Sequence, residues 1–206
     1  MKSVLAAIAI GAGLLLSGCA FNAGYNPTYV TQASKLGITG KGLVVVSAGD
    51  VQWTFSGGPT SFTGGGTTLK VPIGEISKQI ALNVFGAAFK EGVDFREIAG
   101  ETSQYRLVVK PRVNTFTYAY NQLKNLGFAV TPQVVMQVQV VLTNPAGKTL
   151  LDKQYSSGTV EGDSYMISGQ PHEKVNQLIH RTIFKLMSEA ALEAQQVLEK
   201  DVPVAA

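Results

Sequence analysis

Cys19 is the only cysteine in the chain. No disulfide can form within it, and a lone thiol has three uses: apolar filler, reactive nucleophile or attachment point. Two histidines, His172 and His180, stand eight positions apart, which on a helix puts them on one side but ~12 Å apart along the axis. A zinc pair needs a spacing of about four and a third ligand close by, so they read as solvated helix histidines. Glu161 and Asp163 flank Gly162 and could set two acids on one strand face, as a calcium site or a general-acid pair requires. The intervening glycine and adjoining loop make a solvated turn the better reading, and Asp94, Glu97, Glu101 and Asp152 also fall in or beside turns. There is no Gly-x-Ser-x-Gly elbow. The glycine-rich run 56–68, "SGGPTSFTGGGTT", lacks the Gly-Lys-Ser/Thr ending of a phosphate-binding loop, and "GITGKGL" around Lys41 lacks its gap and hydroxyl. These residues point away from an enzyme, with no catalytic set, no metal site and no bound cofactor expected.

Composition narrows the class. With 45 % apolar and 15 % charged residues the chain can bury a core, and its length of 206 residues suits one domain. The net charge of +3 comes from scattered lysines and arginines, which gives no footprint for nucleic acid. The 22 glycines and 8 prolines imply many turns and hence β content.

The elements that must carry any site follow from periodicity. "GLVVVS" (42–47) reads as a buried strand, and Val51 to Phe55 as a second short one. Pro72 opens a helix that Gly92 stops, with Ile73, Ile76, Ile80, Val84 and Ala87 or Ala88 as its apolar stripe. Tyr105 to Tyr120 reads as one long or bent strand, Pro111 marking an edge or bulge. From Gln133 to Thr143 an apolar face (Val134, Met136, Val138, Val140, Leu142) alternates with a half-polar one. "NPAG" (144–147) has turn composition, and Thr149 to Thr159 returns as the hairpin partner. The last helix opens at Gly169-Gln170-Pro171, burying Val175, Leu178, Ile179, Thr182, Ile183, Leu186 and Ala190. This order predicts an α+β fold, a two-layer sandwich of two amphipathic helices on an antiparallel or mixed β-sheet.

The amino terminus is of a different kind. Met1-Lys2-Ser3 precedes "VLAAIAIGAGLLL", then Ser17-Gly18: the order of an export signal, too short to span a bilayer as a helix. Leu16-Ser17-Gly18-Cys19 resembles the bacterial lipobox. That resemblance implies recognition of Leu16, Ser17 and Gly18 by the signal peptidase, cleavage before Cys19, and a diacylglycerol and an N-acyl chain on Cys19 (palmitate among them). More than one acyl chain is what stable anchoring requires. Ala20 after the cysteine, where aspartate is the retention signal, implies transfer to the outer membrane of a Gram-negative bacterium, facing the periplasm.

The expected organisation is a lipoprotein signal peptide over 1–18, a lipidated terminus and tether over 19–41, a single α+β periplasmic domain over 42–199 and a frayed tail over 200–206. The element order, with "EGVDF" closing the first helix, "YSSGTVEG" in the meander and "HEKVNQLI" opening the last helix, resembles the YajG-type lipoprotein family. It is also similar to the two-helices-on-a-sheet layout of the lipopolysaccharide-assembly lipoprotein. The resemblance implies an envelope lipoprotein without catalytic role, an accessory or scaffold subunit with an envelope protein as partner and no nucleic acid. The alternative is a lipid- or glycan-binding module of outer-membrane assembly, with Trp53, Tyr118 and Tyr120 as its aromatic platform.

Overall fold

The computed structural model describes residues 19–121, 124, 129–166 and 171–200. The segment 1–18, expected as a signal peptide and including Leu16, Ser17 and Gly18, and the tail 201–206 lie outside the described residues. The fold is α+β, with two mixed sheets and three α-helices among the described residues.

The larger sheet runs in the order β5 (Val93–Arg96), β2 (Gly42–Val45), β6 (Leu107–Asn121), β7 (Ala129–Thr143) and β8 (Thr149–Glu161). β2 is parallel to both neighbours, whereas β6, β7 and β8 form an antiparallel meander. A two-residue strand, β9 (Tyr165–Met166), continues the β8 edge along the first residues of β7. The turn expected at "NPAG" closes with the Gly147 amide donating to the Asn144 carbonyl at 2.9 Å. Opposite Met136, β8 spends two residues on one, and Gly158 takes φ +60° there, the left-handed conformation that glycine adopts without strain.

Pro111 lies in the middle of β6, where a missing amide should cost a ladder bond. β2 pairs with β6 only as far as Val109, so at Pro111 that side of the strand is free. The register shift follows between Val113 and Thr115.

Alternation decides the core. Val134, Met136, Val138, Val140 and Leu142 are all fully buried, as their period of two requires. Against that face lie the two long helices, α2 (Ile73–Ala88) over β2, β5 and β6, and α3 (Pro171–Lys200) over β7 and β8. Their predicted stripes are buried: Ile73, Ile76, Ile80, Val84 and Ala88 on α2, and Val175, Leu178, Ile179, Thr182, Ile183, Leu186 and Ala190 on α3.

Two elements depart from the sequence reading. The span Val51 to Phe55 is not one strand: a short helix, α1 (Ala48–Gln52), precedes β3 (Phe55–Gly57). Ser47 starts the helix, its Oγ accepting from the Asp50 amide at 3.1 Å and its hydroxyl donating to Asp50 Oδ2 at 2.7 Å, a reciprocal cap that overrides the β-propensity of Val51 and Trp53. The second departure is a whole sheet. β1 (Cys19–Asn22), β4 (Thr67–Val71) and β3 form a three-stranded sheet in the order β1-β4-β3, β1 and β4 parallel. It covers the far end of β6, where Phe55 meets Phe116 edge-on at 4.8 Å and Tyr118 at 5.9 Å.

The segment 19–41, expected as a stand-off tether, is docked instead. It enters β1, makes a 3-10 turn at Pro27–Tyr29 and rejoins the domain at Ile38, whose amide donates to Ala88 O and whose carbonyl accepts from Lys90 N. Ala33 and Leu36 pack on the core between these points. Aromatic and apolar residues spaced along a polar segment are enough to bind it down.

Candidate functional site

His180 has no exposed surface, so the expectation of a solvated histidine is corrected here. Nδ1 lies 2.8 Å from the Asn176 carbonyl one turn back, and Nε2 lies 3.0 Å from the Asn26 amide. An amide can only donate, so Nε2 accepts, and the proton sits on Nδ1, donated to Asn176 O: a neutral ring in one tautomer. Burial pushes its pKa below the ordinary histidine value, and the bond to the Asn176 carbonyl offsets this in part. Tyr25 stacks on the ring at 5.6 Å and Tyr29 meets it edge-on at 5.5 Å. Asn176 Nδ2 donates to Gly24 O at 2.8 Å, and His172, half-buried, stacks flat on Phe21 at 5.1 Å. The two histidines therefore serve one purpose, to clasp the amino-terminal arm to α3, and each faces a different part of the arm.

The acids are distributed among separate partners. Glu161 pairs with Lys124 and accepts from Gln133 at 2.8 Å, and the Lys124 bond holds its carboxyl below the usual range. Asp163 lies 3.8 Å from Arg181. Asp94 is bound by Lys41 at 2.6 Å and by the Tyr105 hydroxyl at 2.9 Å, the lysine being the main reason that its carboxyl titrates low. Arg96 donates to that same hydroxyl and to the carbonyls of Ala99 and Glu101, which folds loop 97–105 back over the sheet. Among the described residues no group of three or more His, Cys, Asp or Glu could hold a metal ion.

That loop makes one wall of a groove on the open face of the larger sheet. About 350 Å³ lies between Glu97, Ile98 and Ala99 on one side and Val45, Lys110, Arg112, Gln139 and Val141 on the other. Across the Asp50–Arg112 ion pair (Nε to Oδ1, 3.2 Å) a second hollow of about 540 Å³ is lined by Ser47, Gly49, Trp53, Val113 and Asn114. α1 places Asp50 and Trp53, and β6 presents Lys110, Arg112 and Asn114 on alternate positions. The guanidinium, fixed by Asp50, keeps donors free in a fork that suits a carboxylate or phosphate. Trp53 and Ile98 supply apolar surface beside it. Ser47 is committed to its helix cap, and the lining offers charged donors, carboxylates and apolar surface.

The aromatic platform expected from Trp53, Tyr118 and Tyr120 is not assembled. Tyr118 and Tyr120 alternate with Thr117 and Ala119 and point to the inner side of β6, where Tyr118 is buried and donates to Gly57 O at 3.3 Å. Burial pushes the phenols of Tyr118 and Tyr120 upward, and that of Tyr165, beside Tyr120, to about 12. Of the three, Trp53 alone lines the second hollow, across the Asp50–Arg112 pair from the groove. "SAGD" (47–50), a capping sequence that the periodicity reading passed over, is the signal that could have found the groove.

No protein-family model and no characterised protein matches the chain. Partial likeness to solved structures exists. A candidate neuraminyllactose-binding hemagglutinin homolog from Helicobacter pylori is 10 % identical, with a TM-score of 0.43 over 85 % of this chain and 95 % of that chain. A candidate lipoprotein from Caulobacter crescentus is 16 % identical, with a TM-score of 0.34 over 62 % of this chain and 81 % of that one. A minor lipoprotein from Acinetobacter baumannii is 13 % identical, with a TM-score of 0.30 over 82 % and 98 %. At these scores the likeness assigns neither a family nor a ligand.

Proposed function

We propose that the protein is a lipid-anchored accessory or scaffold subunit of a bacterial cell envelope, held at the outer membrane and facing the periplasm, without catalysis of its own. The observation that carries this reading is the order at the amino terminus: one cation, 13 residues without a polar side chain ending in Leu16, then Ser17-Gly18 and the sole cysteine. The diacylglycerol and N-acyl chains belong on Cys19, and the two-layer sandwich, extended by its second sheet, is the body they hold. None of the described helices is long and apolar enough to cross a membrane.

Substituting Cys19→Ser tests it. Acyl labelling should vanish and the protein should move from the membrane fraction to the soluble one; continued labelling of the variant would sink the anchor. Affinity capture from detergent extracts should return a defined envelope protein.

A second reading is favoured by the groove around the Asp50–Arg112 pair: a binding module for an anionic envelope lipid or glycan. Trp53 is the chain's single tryptophan, so its intrinsic fluorescence reports on this site alone. Lipopolysaccharide, phospholipid or muropeptide that binds there should change the emission saturably, and Arg112→Ala should weaken the apparent affinity by about tenfold or more, the order expected for losing a charged hydrogen bond. An unchanged titration in the variant would place the ligand elsewhere or exclude it.

A further inference from the structure

We propose that one end of the molecule is a membrane-seating surface, in which Phe62 and Met166 enter the lipid leaflet that holds the acyl chains of Cys19. The inference rests on the lipid anchor proposed above and adds an orientation to it.

Strand register assembles this end. Cys19 begins β1 opposite Thr67, the first residue of β4. The Thr67 amide donates back to Gly64 O at 2.9 Å, and Gly65 N to Phe62 O at 3.1 Å, so the attachment point and Phe62 are separated by one tight turn. That turn is bound to the last residues of β6: Thr60 N donates to Tyr118 O at 2.8 Å, and Tyr120 N to Ser61 Oγ at 2.9 Å. At the same end β7 begins, β8 finishes, and β9 pairs Met166 with Ala129. Tyr120 and Tyr165 join the glycine turn to β9.

Phe62 is fully exposed and Met166 is 62 % exposed. Of the four large exposed apolar side chains among the described residues, these two lie at the end where the chain emerges from its anchor. A phenyl ring on a glycine turn has no packing role here, yet leaving it in water forgoes the gain of burying it. An interfacial bilayer environment provides that burial. The acids near Met166 do not stand bare before a phospholipid surface, because Glu161 is matched by Lys124 and Asp163 faces Arg181. Tied by acyl chains within a turn of Phe62, the surface does not need affinity of its own; it needs only to be the face that the tie brings down. The docked arm enforces this, since a strand hydrogen-bonded to β4 cannot act as a long leash.

Three single-cysteine labels on the full lipidated protein test the orientation: Phe62→Cys, Met166→Cys and, at the opposite end in the 144–147 turn, Ala146→Cys. Cys19 is acylated and does not take the thiol-reactive fluorophore. The protein is reconstituted into vesicles of phosphatidylethanolamine and phosphatidylglycerol with and without spin-labelled lipid, and circular dichroism and thermal unfolding verify that each variant folds. Labels at 62 and 166 should shift to the blue and be quenched several-fold more strongly by the spin-labelled lipid than the label at 146. If label 62 is quenched by aqueous iodide as readily as label 146, on vesicles to which the protein is bound, the seating surface is overturned and the anchor stands. If labels 62 and 166 resist iodide but are not quenched by the lipid, a protein cover replaces the bilayer and the proposal fails. If the protein does not float with the vesicles at all, the anchor itself fails and the orientation with it.

Discussion

His180 ties the amino-terminal arm to the last helix through a neutral ring that accepts at Nε2 from the Asn26 amide and donates at Nδ1 to the Asn176 carbonyl. Protonation puts a hydrogen on Nε2, directly against the Asn26 N–H, and places a charge between Tyr25 and Tyr29. The folded-state pKa is thus lowered relative to the unfolded chain. The unfolded state binds more protons in the window between the two values, so stability rises with pH there. The contribution is complete above the unfolded histidine value of about 6.5 and is lost as pH falls towards the lowered one. The melting temperature should therefore drop between pH 7.5 and 5, before Asp94 and Glu161, whose carboxyls titrate low, begin to contribute. His180→Gln should flatten that slope; an unchanged slope would mean that another group controls it. At pH 7.5 the variant should lose roughly 1–3 kcal/mol, the cost of unsatisfied buried polar groups. None of this was legible in the sequence. Spacing placed His172 and His180 on one side of a helix, but the residues that bury them come from the opposite end of the chain, 154 positions away for Asn26.

At the scale of elements, α1 and α2 meet where Gly74 leaves room for nothing more. A Cβ there would lie 1.8 Å from the Asp50 carbonyl oxygen, and the Gly74 amide donates to Trp53 O at 3.0 Å. Gly74→Ala should destabilise by about 2–3 kcal/mol, as overpacking does, and should displace Asp50 from Arg112, visible as a change in Trp53 emission. Gly86 on the same helix gives the contrast. Its nearest foreign atom would be Val93 Cγ2 at 3.8 Å, ordinary contact, so Gly86→Ala should stabilise by roughly 0.5–1 kcal/mol. Chemical denaturation of the two variants decides both, and equal effects would refute the packing account. Elements set by local periodicity could be read directly: the stripes of α2 and α3 and the alternation of β7 each follow from neighbours within one turn or one pleat. α1 could not, because Val51, Trp53 and Phe55 alternate as a strand would, and the cap at Ser47 outweighs them. The small sheet was hidden for another reason: Phe21 and Leu69 pair across nearly fifty residues, and nothing in "CAFN" distinguishes a strand from a linker.

On the scale of the whole molecule, the arm, the sheet and the groove define a direction. β6 and β7 each span 15 residues, about 50 Å of strand, from the end that holds Cys19 to the turn at Asn144–Gly147. Arg112 is nine positions short of Asn121, so the groove stands about 30 Å up the strand, on the open sheet face and, in the anchored form proposed above, clear of a membrane at the Cys19 end. The Cys19→Ser protein should leave the membrane as a folded body with its melting temperature unaltered, since the backbone bonds of β1 to β4 do not depend on the thiol. A loss of fold on release would show that the bilayer contributes to stability. The proposed anchor is of another kind: export and lipid attachment are read from a linear sequence before any folding occurs, so its case rests on residues 1–19 and not on the fold.

The parallel seat of β1 on β4 also has a mechanical consequence. The chain enters at Cys19 along the strand axis, and the evenly spaced, slanted bonds of a parallel ladder join Cys19–Asn22 to β4 across it. With Cys19 lipidated as proposed, tension between membrane and body would load these bonds together, in shear, and not one after another as in peeling. Should they yield, the next holds are the clasp at His180 and the bridge at Ile38. A fully released arm from Cys19 to Gly37 would reach about 60 Å. In the anchored form proposed above, the body would ride close to its membrane at rest and acquire a long leash only under load.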